Sequence, residues 1–227
     1  MKYIILIPAL EPDQKLISLL QSIDKKFDAI VIDDGSGAKY YSIFNEAKKY
    51  AYVISYEENK GKGYALKTGL KYIKDKYENY IVVTMDCDGQ HTIKDAITLC
   101  DFVNNNRSTL ALGKREWDKH TPIRSRIGNY LTRKIYQKTT ELTIYDTQTG
   151  LRAFSNKLID YMLNTEGNRY EYEMNVLLNL RQHNIKCQEI PISTIYINKN
   201  KTSHFHPLKD SYKVYKAIFK WQRKNKN

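Results

Sequence analysis

The first half of the chain alternates short β-branched runs with helical periodicity, and this alternation restricts the possible folds more than any other feature. Five runs are typical of β-strands: residues 3–7, 29–32, 52–55, 80–85 and 109–112. Between them, apolar residues recur at helical spacing, as they do at Leu16, Leu19 and Leu20. Because strands that alternate with helices form parallel sheets through crossover connections, the predicted fold class is α/β, with a mixed, mostly parallel central sheet flanked by helices.

The second half of the chain has a less regular pattern. Helices are predicted near residues 123–142, 172–182 and 207–223, and strands near 185–190 and 193–197. The chain has 227 residues, enough for one substantial core but too few for two domains of ordinary size. We therefore predict a single domain, 1–227, made of an α/β half (1–115), a second half (116–206) and a basic C-terminal helix and tail (207–227).

Charge and cysteine content indicate the environment and the kind of partner. The formal charge of +12, from 37 basic and 25 acidic residues, favours a polyanion such as a nucleic acid, an anionic lipid surface or a phosphorylated substrate. The three cysteines are widely spaced and lack a Cys-x-x-Cys pair, which argues against a disulfide framework and a zinc site. The cysteines fit a reducing cytosol, and no apolar run reaches membrane-spanning length, so we expect a cytoplasmic protein that is soluble or peripheral at the inner face of the membrane.

Charged residues follow several predicted strands at the points where they end. Asp33 and Asp34 follow the second strand, Asp86 and Asp88 follow the fourth, and Arg115 comes after the fifth. Ligands of open α/β sheets bind beyond the carboxyl ends of the strands. These side chains are therefore expected to converge on one edge of the sheet.

Asp86 and Asp88 are separated by one residue after a buried strand, where two carboxylates repel each other unless a cation compensates them. Their oxygens suit Mg²⁺ or Mn²⁺, which take one or two protein carboxylates and fill their other positions with water and phosphate oxygens. A site of this kind fits a nucleoside diphosphate. The alternative is that the two aspartates only cap the next helix or form an Asx-turn before Thr92.

Five short motifs occur in register along the chain: residues 8–11 (PALE), 33–36 (DDGS), 59–63 (NKGKG), 86–91 (DCDGQH) and 146–152 (DTQTGLR). Together they resemble glycosyltransferase family 2, and most of all its dolichyl-phosphate mannose synthase group. The resemblance extends from Lys2 to about Tyr215. It implies a GT-A (Rossmann-like) fold with a helical C-terminal elaboration. It also implies an inverting, metal-dependent enzyme that moves a sugar from a nucleotide diphosphate sugar, UDP preferred over GDP, to a polyprenyl-phosphate or glycan acceptor.

The resemblance also implies roles for individual residues. Those expected to bind the nucleotide sugar are Pro8, Ala9, Glu11, Asp33, Asp34, Lys62, Asp86 and Arg115. Those expected around the metal are Asp86, Asp88 and Gln90, joined by His204 or His206. Either histidine is equally consistent with an exposed loop residue, and the glycines beside Lys62 are also consistent with a simple helix entry.

The class of acceptor decides which catalytic group is needed. A lipid phosphate has its second pKa near about 6 and is already ionised, whereas a hydroxyl must lose a proton to a base during attack. Asp146 is the predicted base, with an Asx-turn as the alternative, and Arg152 is predicted to orient it or to bind phosphate. With Asp88, these two form the predicted catalytic set.

Glu171 and Glu173 begin the next helix, where acidic residues ordinarily balance the helix dipole.

Two basic clusters are candidates for contacts with the acceptor. The residues predicted to bind its phosphate are Arg124, Arg126, Arg133 and Lys201, and an exposed helix face is the alternative for the three arginines. In the last predicted helix, a basic stripe runs beside aromatic residues and includes Lys209, Lys213, Lys216, Lys220 and Arg223. Such a helix is able to lie on an anionic membrane. The alternative is an amphipathic helix packed on the domain with its basic face in solvent.

Two other functions compete with this reading. A sugar-1-phosphate nucleotidyltransferase would need a Gly-rich, arginine-containing loop after the first strand, where residues 8–13 stand instead. A basic nucleic-acid-binding module fits the charge and the 19 tyrosines, but no nucleic-acid motif is present, and the acidic strand ends would repel phosphates without a metal. We therefore predict no nucleic-acid partner, and the sequence does not predict an oligomeric state.

Overall fold

The computed structural model describes residues 1–116, 123–193 and 207–225. In this part of the chain, one mixed sheet contains β1 (Lys2–Ala9), β2 (Phe27–Asp33), β3 (Tyr52–Ser55), β4 (Tyr80–Thr84), β5 (Thr109–Arg115), β6 (Arg152–Ser155) and β7 (Lys186–Ile192). Its helices are α1 (Gln14–Gln21), α2 (Tyr41–Ala47), α3 (Lys62–Lys76), α4 (Ile93–Asn105), α5 (Ile123–Thr140), α6 (Ile159–Asn164), α7 (Glu171–Leu178) and α8 (Pro207–Asn225).

The strand order β3-β2-β1-β4-β6-β5-β7 brings the predicted site residues to one edge of the sheet. β1 is parallel to β2 and β4, so that Ala9 lies opposite Asp33 and the carboxyl end of β4 lies beside them. β6 runs antiparallel between β4 and β5, and it pairs Arg152 with Thr84. Although it points the other way, β6 therefore begins at the same edge where β4 ends.

Two apolar layers hold the helices against the sheet. Along β1, Ile4 and Leu6 face the layer under α3, α5, α7 and α8, whereas Ile5 and Ile7 face the layer under α1, α2 and α4. All four side chains are fully buried. Since burying one such side chain stabilises a fold by about 1.5–3 kcal/mol, β1 provides a rigid centre from which the loops at its carboxyl end project.

The α/β fold predicted from the sequence is confirmed, and all five strands predicted in the first half are present. The second half needs two corrections. The four residues of β6 were not predicted, because so short a strand with a buried arginine has no clear alternation of polar and apolar residues. The helix predicted at residues 172–182 ends at Leu178, where turns replace it. Apart from its first residue, the strand predicted at residues 193–197 lies outside the described residues.

None of the described helices is both long enough and apolar enough to cross a membrane.

Candidate active site

The carboxylate of Asp34, directly after β2, is held by the Gly-rich loop that precedes α3. It accepts hydrogen bonds from the hydroxyl of Tyr56 (2.6 Å) and from Nδ2 of Asn59 (3.2 Å). The backbone amides of Lys60 and Gly61 also donate to it, each at 2.9 Å. Burial, and then the hydrogen bond to Asp34, raise the pKa of Tyr56, so its hydroxyl stays protonated and donates. This cage fixes the loop against the end of β2.

A second set of contacts joins the ends of β1 and β2. The carboxylate of Asp33 accepts from the amide of Ser36 (2.9 Å), and the hydroxyl of Ser36 accepts from the amide of Glu11 (2.8 Å). Gly35 has a φ of +69°, and a Cβ there would lie 2.3 Å from the carbonyl carbon of Glu58, so only glycine fits this turn. The structure thus brings together the predicted nucleotide-binding residues Pro8, Ala9, Glu11, Asp33 and Asp34, whose contact with a nucleotide stays a prediction.

Lys62, at the first position of α3, lies between two carboxylates. Its Nζ is 2.7 Å from Oδ1 of Asp86 and 3.0 Å from Oε1 of Glu173, and its side chain is only 16% exposed. Burial lowers the pKa of Lys62, but the charges of Asp86 and Glu173 more than reverse this effect and raise it above the usual range. Lys62 is therefore a permanent cation at this corner. Glu173, at the start of α7, therefore belongs to the site as well.

Asp86 and Asp88 lie in very different electrostatic surroundings. Burial alone would raise the pKa of Asp86, but the charge of Lys62 and a contact with His91, whose Nε2 is 3.7 Å from Oδ2, hold it well below its usual range. Burial, and then the charge of Asp86, raise the pKa of Asp88, whose Oδ1 accepts the backbone amide of Gln90 (3.0 Å). Asp88 thus makes an Asx-turn, as the alternative reading proposed, but its charge is poorly compensated.

The chemistry of this carboxylate pair fits a hard divalent cation. Among the described residues, no group of three or more His, Cys, Asp and Glu side chains could hold a metal, so the chain would supply Asp86 and Asp88 alone. One or two protein carboxylates are what Mg²⁺ and Mn²⁺ usually take when phosphate oxygens complete the coordination. The predicted ligand Gln90 lies in the same turn, and His204 and His206 lie outside the described residues. The ammonium group of Lys62 already neutralises one oxygen of Asp86, so a cation here has to share that carboxylate with it.

The turn between α5 and β6 forms an ion pair with Arg115 at the end of β5, in which only the Asp146 side chain is fully buried. Nε and Nη2 of Arg115 lie 2.7 and 2.9 Å from the two carboxylate oxygens of Asp146. The side chain of Asp146 has no exposed surface, and the amide of Gln148 donates to it at 3.2 Å. The carboxylate of Glu189, on β7, in turn accepts the backbone amide of Asp146 at 2.8 Å. Arg115, predicted to bind the donor, therefore lies at the site edge as the partner of Asp146.

Gly150 brings the same turn against the carboxylate pair. A Cβ at this position would lie 2.2 Å from Oδ2 of Asp86, and the carbonyl oxygen of Gly150 accepts from the hydroxyl of Thr84 at 2.8 Å. Only a residue without a side chain lets the backbone approach so closely. The DTQTGLR motif therefore forms one wall of the site.

Arg152, at the start of β6, connects this wall with α7. Its Nε donates to the carbonyl oxygen of Thr149 (3.0 Å) and its Nη1 to that of Glu173 (2.8 Å). Within the described residues, Nη2 is buried without a hydrogen-bond partner. The guanidinium thus holds the first turn of α7 and not the carboxylate of Asp146. From this turn of α7, the side chain of Glu173 reaches Lys62.

One of the predicted acceptor-binding arginines, Arg133, lies against two tyrosines. The guanidinium of Arg133 lies over the rings of Tyr130 (5.4 Å) and Tyr145 (5.2 Å), and Nζ of Lys114 lies 4.7 Å from the second ring. Arg126 is exposed on α5. The side chain of Arg124 and the whole of Lys201 lie outside the described part of the chain.

The part of the sequence that carries Asp34, the carboxylate pair after β4 and the glycine turn matches a family model. Residues 7–163, more than half of the chain, match the model described as Glycosyl transferase family 2. The chain belongs to this family. The resemblance predicted from the five motifs is thus confirmed, and all five motifs lie inside the matched residues.

Individual relatives agree with this assignment. The family 2 chain is 32% identical over 200 residues to an uncharacterized protein of Methanocaldococcus jannaschii, covering 85% of this chain and 81% of the relative. It is 28% identical to the UDP-N-acetylglucosamine–dolichyl-phosphate N-acetylglucosaminyltransferase of Methanococcus voltae, covering 85% of each. The crystal structure of mannosyl-3-phosphoglycerate synthase from Rubrobacter xylanophilus aligns with a TM-score of 0.71 at 14% identity, over 100% of this chain and 75% of that one, which shows the same GT-A fold.

Proposed function

We propose that this family 2 glycosyltransferase transfers a sugar from a nucleotide diphosphate sugar to the phosphate of a polyprenyl phosphate, with inversion at the anomeric carbon. UDP is preferred over GDP as the donor nucleotide. The name of the Methanococcus voltae relative, which pairs a UDP-sugar with dolichyl phosphate, supports both the donor and the acceptor. We place the reaction in the cytoplasm, since all three cysteines are free thiols.

The Arg115–Asp146 ion pair is the observation that carries the choice of acceptor. Both oxygens of Asp146 are bound by the guanidinium group, and the Asp146 side chain has no exposed surface, so these oxygens are poorly placed to remove a proton from a hydroxyl acceptor. An ionised phosphate oxygen needs no such base. A phosphate acceptor therefore agrees best with this geometry, although a glycan acceptor follows equally from the family.

Different strand ends are assigned to different parts of the donor. We assign the nucleotide to the loops after β1 and β2, where Asp34 keeps the Gly-rich loop in place, and the diphosphate to the corner of Asp86, Asp88 and Lys62. A divalent cation bound there would stabilise the negative charge of the departing diphosphate, a contribution worth several kcal/mol in related chemistry. Lys62 adds a fixed positive charge to the same corner, and Glu173 keeps that charge in position.

A pair of matched acceptors tests this proposal. Purified protein with a UDP-sugar and Mn²⁺ is incubated either with a polyprenyl phosphate or with the polyprenol of the same length, and both arms are repeated with the GDP-sugar. We expect glycosylated product from the phosphate alone, with an anomeric configuration in NMR spectra opposite to that of the donor. Equal product from the polyprenol, or product with a retained configuration, would refute the proposal.

A substitution at Asp146 separates the two classes of acceptor. Asp146→Asn removes the fully buried carboxylate that Nε and Nη2 of Arg115 contact, which should lower the free energy of unfolding by about 3 kcal/mol. Transfer to the phosphate acceptor should stay within about tenfold of wild type at temperatures where the variant is folded, since no base is lost. Urea unfolding and initial rates measure the two effects.

Asp160→Asn, which removes half of an exposed ion pair with Lys74, is the control for Asp146→Asn and should change stability by less than about 1 kcal/mol. A loss of transfer of about 1000-fold with the phosphate acceptor would instead identify Asp146 as the base.

A further inference from the structure

Exposed apolar side chains are concentrated on one part of the molecule. Nine large hydrophobic residues are exposed among the described residues, and five of them belong to α5, to the loop that follows it or to α8: Tyr130, Leu131, Tyr145, Tyr212 and Phe219. Single exposed apolar residues need no explanation, but a cluster on neighbouring elements marks an interaction surface.

Helix α8 has two faces with different surroundings. Val214, Ile218 and Trp221 recur at spacings of four and three and pack into the core, where Ile218 is fully buried. Nε1 of Trp221 donates to Oδ1 of Asn179 at 2.9 Å, which ties the helix to the chain segment after α7. The alternative reading of α8, a helix packed on its own domain, therefore describes this inner face.

The outer face of α8 has no partner in the described structure. Tyr212, Lys216, Phe219 and Arg223 recur at spacings of four, three and four, opposite the inner face, and all four are exposed. Tyr212 is 65% exposed and Phe219 is 51% exposed. Aromatic rings alternate with cations along this stripe. It therefore combines apolar surface with positive charge that attracts anions.

Helix α5 extends this surface towards the candidate active site. The hydroxyls of Thr132 and Tyr215 lie 3.3 Å apart, so α5 and α8 are neighbours, and Thr132 is buried while Tyr130 and Leu131 on the same helix are exposed. The ring of Tyr145, next to Asp146 in the wall of the site, lies 5.2 Å from the guanidinium of Arg133 and 4.7 Å from Nζ of Lys114. The exposed rings and cations thus reach from α8 to the edge where the acceptor is expected.

We propose that the outer faces of α5 and α8, centred on Tyr130, Leu131, Tyr212, Lys216, Phe219 and Arg223, dock on an anionic lipid bilayer from which the polyprenyl phosphate is taken. This inference rests on the proposed function and adds the surface on which that function takes place. Aromatic rings lie at the level of the headgroups, and each nearby cation is attracted to anionic lipid. The net charge of +12 acts in the same direction.

Vesicle sedimentation tests the docking surface. The full chain is sedimented with vesicles of phosphatidylcholine, with or without phosphatidylglycerol. The variant Tyr212→Ser/Phe219→Ser is compared with wild type in the same assay. The control variant, Tyr41→Ser/Tyr50→Ser, removes two exposed tyrosines from α2 and the turn after it. We expect the wild type and the control to bind only the anionic vesicles, and the Tyr212/Phe219 variant to bind them about tenfold more weakly, a loss of about 1.4 kcal/mol. Equal binding by both variants, or no binding by the wild type, would overturn the proposal. So would a wild-type dimer that the Tyr212/Phe219 variant converts to a monomer without any change in vesicle binding.

Two transfer assays distinguish failure of docking from failure of the proposed function. The Tyr212/Phe219 variant should match wild type when the polyprenyl phosphate is presented in detergent micelles, and should fall about tenfold below it when the acceptor is in anionic vesicles. Wild-type transfer in micelles without vesicle binding would refute docking and leave the proposed function intact. Vesicle binding without transfer in either assay would refute the function and leave the surface.

Discussion

The Asp88→Asn variant is expected to fold normally and to lose metal-dependent binding of the donor, with transfer falling about 1000-fold. Burial and the charge of Asp86 already raise the pKa of Asp88, so a neutral side chain fits this position without strain. The amide oxygen of asparagine still accepts the hydrogen bond from the backbone of Gln90. Only the negative charge is lost, and this charge is what the cation and the diphosphate require.

Calorimetry of the UDP-sugar with and without Mn²⁺, together with thermal unfolding, measures this effect. Asp75→Asn, which removes an exposed carboxylate from the last turns of α3, is the matched control and should behave like wild type. If Asp88→Asn transfers sugar at the wild-type rate, the assignment of the metal to this pair is wrong.

Gly150→Ala is expected to lower transfer about 100-fold, because the added methyl group would lie 2.2 Å from Oδ2 of Asp86 and must displace the carboxylate. The chain has no alternative place for this atom: Cγ and Oδ1 of Asp86 are also within 2.8 Å of it. The fold should be retained, since the backbone at Gly150 does not adopt a positive φ. The loss should therefore appear in donor and metal binding as well as in the rate.

Gly128→Ala provides the control for this prediction. No described atom lies within 4 Å of a Cβ at Gly128, which is inside α5, and alanine there should raise the free energy of unfolding by about 0.5–1 kcal/mol. Steady-state kinetics and urea unfolding of the two variants give the comparison. Wild-type kinetics in Gly150→Ala would show that the glycine turn does not shape the carboxylate pair.

The features that the sequence predicted correctly depend on local patterns. β1, β2 and β4 are continuous β-branched runs bounded by polar residues, and the acids after them follow directly once the sheet is parallel. The Asp86–Asp88 pair and the Asp146–Arg152 motif were predicted in the same way, because their residues are close together in the chain. Their shared edge follows from the register of β4 and β6.

The features that were missed join distant parts of the chain. Lys62 and Glu173 are separated by about half of the chain, and only the packing of α3 against α7 brings them together. Arg115 was expected to face the donor, yet it lies in an ion pair with Asp146, and no periodicity predicts such a pair. For α8, the spacing predicted a basic stripe, but which face packs inward depends on the core that Ile218 enters.

Anomalous diffraction from a crystal grown with Mn²⁺ and a nucleoside diphosphate tests the central claim most directly. We expect one manganese peak bound by oxygens of Asp86 and Asp88 and by the diphosphate, with the ammonium group of Lys62 beside the phosphates. A nucleotide bound elsewhere, or a corner without manganese in which Lys62 still neutralises Asp86, would contradict the account.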